Sequence, residues 1–328
     1  MVRFGFVLCS LLCILGVDPA GGAQGQKAKD FKVWLGEFRK EALAAGVSSK
    51  TLDLALKDVT PLARVIELDR KQPEFTLSLE EYMSRVVSEA RVARGREAWV
   101  RHRELVEAIA EQYGVPPQYL MALWGMESSY GSSPGDFPVI GSLVTLAYDG
   151  RRGAYFRKEL VLALRILDKG HVSLQRMTGS WAGAMGNFQF MPSSFWSYAT
   201  DYNGDGRMDI WGDLGDSIAS AANYLSKLGW KREQGWGREV RIQEGFDRSL
   251  VGSQVRKSLG EWQALGVMGP DGEELRDPPS WTAALIQPDG AQGRAFLTYD
   301  NYRAIMSWNR SHLFAISVGT LADRIAAE

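Results

Sequence analysis

The segment Tyr113-Gly-Val-Pro-Pro-Gln-Tyr-Leu-Met-Ala-Leu-Trp-Gly-Met-Glu-Ser-Ser-Tyr-Gly131 decides how this chain is read. Pro116 and Pro117 suit the first turn of a helix, where a missing N–H costs nothing. Gly131 suits its stop. Leu120, Trp124 and Glu127 follow one another at spacings of four and three and so share one helix face. Glu127 is the only acid in a long apolar helix. In the last turn it meets the negative end of the helix dipole, and apolar neighbours also disfavour its charged form. A carboxyl kept protonated near neutral pH is what a glycosidase needs to protonate a leaving oxygen. On spacing alone, a Glu that pairs with an Arg at a helix end is an equal alternative.

Further along lies Gly179-Ser-Trp-Ala-Gly-Ala-Met-Gly-Asn-Phe-Gln-Phe-Met-Pro-Ser-Ser194. Its glycines and alanines let backbone approach a ligand closely. Ser180 and Gln189 offer neutral hydrogen-bonding groups, and Trp181, Phe188 and Phe190 offer flat apolar faces. That alternation suits a sugar, whose hydroxyls and C–H faces need both kinds of partner. A tight helix-packing loop would show the same spacing. Next comes Asp201-Tyr-Asn-Gly-Asp-Gly-Arg-Met-Asp-Ile-Trp-Gly212. Oxygen ligands at its first, third and fifth positions (Asp201, Asn203, Asp205), with Gly sixth, follow the opening of a calcium loop, and Arg207 would contribute its carbonyl. The Glu expected at position twelve is replaced by Gly212, with Asp213 and Asp216 just beyond. A hydrated Asp-Asn-Gly turn is the alternative. His102, His171 and His312 are scattered, so nothing points to zinc.

Composition narrows the class. The chain has 328 residues, 45% hydrophobic, with 38 Lys+Arg against 39 Asp+Glu. This is enough for a full core in more than one domain. It excludes a disordered chain or a disulfide-stapled mini-protein. The near-neutral balance argues against nucleic acid as a partner. Residues 1–23 have the three-part layout of a secretory signal peptide: Arg3, an apolar run Phe4–Val17, then Gly21-Gly22-Ala23 before a cut. An uncleaved anchor is the alternative, and the residues before Cys9 and Cys13, Leu8 and Leu12, do not make a lipoprotein site. Cleavage after Ala23 removes both cysteines and leaves an exported protein whose stability cannot rest on disulfides.

Helical periodicity runs from residue 30 to about residue 105, with apolar positions at Phe31, Trp34, Leu35 and Phe38 and again at Leu52, Leu54 and Leu56. Six arginines between Arg85 and Arg103 read as a solvated helix face, with contact to an anionic polymer as the lesser alternative. Helical segments continue to about Trp230. Short strands are expected at 239–243, 282–287 and 295–298, with Pro288-Asp-Gly290 as a hairpin turn and 258–266 as a short helix. A last helix is expected over 302–327. The fold class is mainly α (α+β), with a small β insertion. The expected organisation is a signal peptide 1–23, an N-terminal helical domain 30–104, a catalytic core 105–235, a small α/β insertion 236–300 and a C-terminal helix 301–328 completing the core.

Glu127-Ser-Ser-Tyr-Gly131, Ala182-Gly-Ala-Met-Gly186, Gln189-Phe-Met-Pro-Ser-Ser194, Ala222-Asn-Tyr-Leu225, Trp308-Asn-Arg-Ser311 and the Tyr113-Gly-Val-Pro-Pro117 lead-in occur in order. Together they resemble the lytic murein transglycosylase B family, over essentially the whole chain from residue 30. The resemblance implies a lysozyme-like α core and cleavage of the β-1,4 bond between N-acetylmuramic acid and N-acetylglucosamine in peptidoglycan, leaving a 1,6-anhydromuramoyl end. It implies a single catalytic carboxyl at Glu127, acting as acid and then base. By position it implies substrate contacts from Ser180, Gln189, Tyr224 and Asn309, and from Tyr82 in a weaker match. Trp308 stands where a Tyr is common, as does Phe314; each keeps a stacking face and loses a hydroxyl. The resemblance also favours Asp216 as the later calcium ligand, beside Asp201, Asn203, Asp205 and Arg207. It implies no cofactor for the chemistry, a structural calcium ion, peptidoglycan glycan strands as the partner, a place in a cell-wall synthesis complex, a monomer, and a periplasmic location. A peptidoglycan hydrolase of muramidase type and a non-catalytic wall-binding scaffold are the other classes compatible with these residues.

Overall fold

The chain is described here by a computed structural model, which covers residues 31–71 and 77–327. The signal-peptide assignment of residues 1–23 lies outside the described residues. Near its start are α1 (Phe31–Ala44), α2 (Ser49–Leu56), α3 (Ala63–Arg70), α4 (Leu79–Val86), α5 (Glu89–Arg101), α6 (Arg103–Tyr113) and α7 (Pro117–Ser128). There follow β1 (Phe137–Pro138), α8 (Val139–Asp149), α9 (Gly153–Asp168), β2 (Thr178–Gly179), α10 (Pro192–Tyr198) and α11 (Leu214–Lys227). The last part holds β3 (Gly237–Ile242), β4 (Arg256–Ser258), α12 (Leu259–Ala264), β5 (Val267–Met268), β6 (Thr282–Ile286), β7 (Ala295–Thr298), α13 (Asp300–Trp308) and α14 (His312–Ala326). The mainly helical class with a small β insertion is what the sequence pattern led us to expect. No described helix is long and apolar enough to cross a membrane.

Two compact units divide the chain, and each is discontinuous in sequence. One holds residues 31–71 with Trp124–Asn223, the other 77–123 with 224–327. α7 and α11 each run from one unit into the other.

In the first unit α8 packs on α9, and α2, α3 and α10 add to that pair. α8 is buried at every position from Val139 to Ala147, as expected for a helix with neighbours all round. Helix ends here are joined by side chains from distant segments. Asp168, on α9, accepts from the hydroxyls of Ser48 and Thr51 (the latter at 2.5 Å) and so braces the N-terminus of α2. Those hydroxyls, Ser48 first, hold its carboxyl below the usual range. Glu159, on the same helix, accepts from Ser193 N at 2.9 Å and caps α10; burial pushes this carboxyl up. Asp69, 3% exposed, closes α3 by receiving Arg151 and Arg152.

In the second unit five antiparallel strands run in the order β4-β6-β7-β3-β5. Leu285 pairs with Leu297 in the central register. Both belong to a sheet core with Val240, Leu259, Trp262 and Val267. The sequence pattern located β3, β6 and β7. It missed β4 and β5, which have three and two residues and too little alternation to show a period. Asp289, in the β6–β7 turn, accepts the first N–H of α4 at Leu79 (3.0 Å), next to the Ser78/Glu81 capping box. Of the six arginines near α5, Arg91 donates to Val86 O at 2.7 Å and Arg96 to the carbonyls of Arg324 and Ala327 at the end of α14. Their work is therefore partly structural, satisfying carbonyls that helix ends leave open. The single last helix expected over 302–327 is two helices. Asn309 and Ser311 are extended, Asn309 Oδ1 accepts from Ser311 N (3.2 Å), and Ser311 Oγ caps α14 through Phe314 N (3.3 Å). Asn and Ser offer the backbone this local alternative to a continuing helix.

Candidate active site

In the first unit the site begins where α7 ends. From Leu120 to Ser128 every residue of α7 is buried, so the helix has no solvent face and Glu127, 2% exposed, is enclosed with the rest. The helix stops earlier than Gly131. Ser129, Tyr130 and Gly131 all take left-handed φ (51°, 60° and 78°), and Tyr130 N reaches back to Trp124 O at 3.2 Å. Two consecutive non-glycine residues in that region store strain that neighbouring contacts must hold. One such contact is visible at Gly125, where an added Cβ would lie 2.5 Å from the Tyr130 hydroxyl.

The segment after α7 lies on the glycine-rich strip. β1 pairs with β2 through Phe137 and Gly179, and the pairing extends through Gly179–Met185 and Met185–Phe190 bridges. At Gly135, whose φ is +91°, a Cβ would sit 2.2 Å from Gly179 O, so only glycine permits this approach. Ser180 is 2% exposed; its N–H donates to Ala184 O (2.8 Å) while its Oγ accepts from Ala184 N (3.0 Å). The hydroxyl thus shapes the turn that presents it. Gln189 is buried, with φ 51°, and its Nε2 donates to Pro134 O (2.8 Å) and Gly186 O (2.9 Å). Two carbonyl acceptors fix which end of the amide is nitrogen. Among the described residues none donates to its buried Oε1. Phe188 and Phe190, expected as sugar-facing surfaces, are each 3% exposed and belong to the interior, whereas Trp181 is half-buried. Glu127, Ser180 and Gln189 therefore lie on segments that the first unit brings together.

The Asp201–Gly212 loop winds around its own acids. Asp201 accepts from the N–H groups of Gly204 (2.8 Å), Asp205 (3.1 Å) and Gly206 (2.8 Å), Asn203 Oδ1 from Asp205 N (2.8 Å), and Asp205 from Arg207 N (2.9 Å). Asp216, 1% exposed on α11, accepts from Tyr202 N and Asp209 N, both at 2.8 Å, and burial pushes its carboxyl up. Among the described residues no three His, Cys, Asp or Glu side chains gather as a metal-binding group. An ion here would depend on Asn203 and on backbone oxygen as well.

The second unit carries the remaining candidates. Tyr224, at the far end of α11, donates its hydroxyl to Ser307 O at 2.9 Å and packs its ring on Trp308 with centroids 4.6 Å apart. Asn309, 6% exposed, follows directly. Tyr224, Trp308 and Asn309 are thus gathered at the break between α13 and α14. Tyr82, 5% exposed, sits on α4, which packs against α14. Phe314 is 1% exposed and packs in the core, so the stacking face expected of it is not offered. Sequence reasoning passed over the left-handed turn at Ser129 and Tyr130. Neither residue type signals positive φ, and no local pattern would have found it.

The family model for the Transglycosylase SLT domain matches residues 30–323, and the chain belongs to that family. It is an enzyme of the lytic transglycosylase class. Among solved structures it is similar to SltB3 of Pseudomonas aeruginosa in complex with NAG-anhNAM-pentapeptide: 45% identity, TM-score 0.88, covering 90% of this chain and 80% of that one. It is also similar to the membrane-bound lytic murein transglycosylase B of Escherichia coli (strain K12), 29% identical over 251 residues; these are 75% of this chain and 66% of that relative's length. An Escherichia coli lytic transglycosylase solved in complex with calcium matches at 26% identity with TM-score 0.76, covering 89% of this chain and 92% of that one.

Proposed function

We propose that the chain cleaves the β-1,4 bond between N-acetylmuramic acid and N-acetylglucosamine in peptidoglycan and closes a 1,6-anhydro ring on the muramoyl product. Glu127 acts as the single acid and base. Its carboxyl proton passes to the glycosidic oxygen as the bond to C1 breaks. The resulting carboxylate takes the proton of the muramoyl C6 hydroxyl as that oxygen bonds to C1, so the acid is regenerated and no water is consumed. The nucleophile belongs to the same sugar, which gives it the rate advantage of an intramolecular attack. No second carboxylate need activate water, and residues 179–194 contain no Asp or Glu.

The observation that carries this reading is the pairing of an enclosed acid with an amide short of a donor. Glu127 is 2% exposed at the end of an apolar helix, and the buried Gln189 Oε1 meets no donor among the described residues. A buried acceptor left so costs free energy unless a ligand N–H or O–H meets it, and a glycan brings both. By their place in the family motifs, Ser180 in the first unit and Tyr82, Tyr224, Trp308 and Asn309 in the second are further substrate-contacting residues, Trp308 with an aromatic face and the others with neutral polar groups. The protein acts on glycan strands in the periplasm after export, as a monomer that can join wall-synthesis assemblies.

The loop Asp201–Gly212 fits a structural calcium ion by donor chemistry. Asp201, Asn203, Asp205, the Arg207 carbonyl and Asp216 form an all-oxygen set, the kind this ion takes. The ion would neutralise the acids ahead of α11.

Digestion of purified peptidoglycan by the wild type and by Glu127→Gln tests the reading by mass. Wild type should release ends lighter by one water than hydrolysed ends, and Glu127→Gln should release none. Hydrolysed ends from the wild type would instead mean a muramidase-type hydrolase, and no digestion at all a scaffold.

A further inference from the structure

Asn187 lies in the turn between the bridge partners Met185 and Phe190. Its backbone N–H donates to Ile210 O at 3.0 Å. Its side-chain Nδ2 donates toward Ser217 Oγ (3.1 Å), Ile210 O (3.4 Å) and Trp211 O (3.5 Å). On the opposite side its Oδ1 accepts from Trp124 Nε1 at 3.3 Å. Acceptors on one side and an indole N–H on the other allow one orientation of the amide. The left-handed turn closes on the same oxygen, since a Cβ at Gly131 would lie 2.9 Å from Asn187 Oδ1. One small side chain therefore touches the last turn of α7, the turn after it, and the segment leading into α11.

We propose that Asn187 is a positioning residue that fixes the rotation of the end of α7, and so the carboxyl of Glu127, against the 210–217 segment. This rests on Glu127 being the acid and base. Trp124 and Glu127 are three apart and neighbours on one helix face, so a rotation that moves the indole moves the carboxyl with it. Ser129 N, Tyr130 N and Gly131 N bond back to Gly125 O, Trp124 O and Ser128 Oγ (3.1, 3.2 and 3.0 Å), so the helix end and the turn after it form one local unit, and Asn187 ties that unit to the 210–217 segment. Apart from Nδ2 to Ser217 Oγ at 3.1 Å, the side-chain hydrogen bonds of Asn187 are long and individually weak. The effect comes from one rigid amide spanning two segments. Small displacements of a proton donor are costly in rate, because proton transfer needs the donor within hydrogen-bond reach of the leaving oxygen.

The test is a double-mutant cycle between Asn187→Ala and Trp124→Phe, read as kcat and KM for release of anhydro ends, with Asn187→Asp and Glu127→Gln alongside. Asn187→Ala should lower kcat roughly tenfold with KM little changed, since ground-state binding is not its task. Asn187→Asp keeps an oxygen for the Trp124 indole but turns its other oxygen on the carbonyls of Ile210 and Trp211, so it breaks the link on that side and should not restore kcat. The double variant should be no slower than the slower single variant, because both remove the same link. Losses that multiply in the double variant, a rise in KM alone, or an unaltered kcat would overturn the positioning role while Glu127→Gln stays inactive. An active Glu127→Gln would show instead that the assignment of Glu127 has failed, and the positioning role falls with it.

Discussion

Replacing Gln189 by Glu swaps one atom in a place where the structure leaves no room for a charge. Gln189 is 9% exposed, and its Nε2 sits 2.8 and 2.9 Å from two carbonyl oxygens. A carboxylate oxygen there would face two acceptors in a site that solvent cannot screen, so the folded variant must keep that Glu protonated. Its single O–H can serve one carbonyl only. The lost hydrogen bond, about 1 kcal/mol, and the unsatisfied carbonyl, about 1–3 kcal/mol, give a base cost of roughly 2–4 kcal/mol at low pH. A further cost depends on pH. The folded-state pKa of the new carboxyl is raised above the unfolded value of about 4.3, so the folded form holds more protons than the unfolded form. Stability then falls as pH rises between those two values, by about 1.4 kcal/mol per unit. From pH 5 to pH 7 the extra loss approaches 2.7 kcal/mol. Gln does not titrate, so the wild type provides the reference. Urea unfolding of both proteins at the two pH values measures the difference directly. An equal destabilisation at both would refute the placement of this amide.

Gly125→Ala should destabilise the protein. The gain in helix propensity is about 1 kcal/mol, but the added Cβ falls 2.5–3.0 Å from the hydroxyl, Cζ and Cε1 of Tyr130. Displacing that ring costs about 1–3 kcal/mol, and a thermal melt that rises would contradict this. Asp168→Asn should cost about 1 kcal/mol at neutral pH, discounted for its partly open position. Asp168 has a lowered folded-state pKa, so its contribution is present above the unfolded value near 3.9 and lost as pH falls through the folded one. The variant and wild type should therefore converge in acid melts, and a gap that persists to about pH 2 would be evidence against it. Calcium should raise the melting temperature of the wild type, a chelator should reverse the shift, and Asp201→Ala should abolish it. Identical melts with ion and with chelator would remove calcium from the Asp201 loop.

Features set by near neighbours were legible in the sequence. The Pro117 start of α7, the lone acid Glu127 in an apolar helix, and the strands β3, β6 and β7 depend on residues a few positions apart. The family motifs carried Ser180, Gln189, Tyr224 and Asn309 as candidates. A continuous helix over 302–327 was a misreading, although Asn309 and Ser311 were in plain view. Their side chains compete with the helix for backbone partners, and hydrophobic periodicity does not register that competition.

The rest needed the fold, because it depends on partners distant in sequence. An aromatic face looks the same in sequence whether it is open or enclosed, and only the fold shows that Phe188, Phe190 and Phe314 are enclosed. The left-handed backbone at Ser129 and Tyr130 costs energy in isolation; the Tyr130 ring on Gly125 holds it locally, and Asn187, far along the chain, closes against Gly131. The division into two discontinuous units with α7 and α11 shared between them also follows from contacts between segments far apart in the chain. Local sequence was enough to single out Glu127 as the candidate acid and to place the helix that carries it. What packs on that helix, down to the Asn187 amide on the Trp124 indole, emerged only with the fold, because packing between remote segments has no local signature.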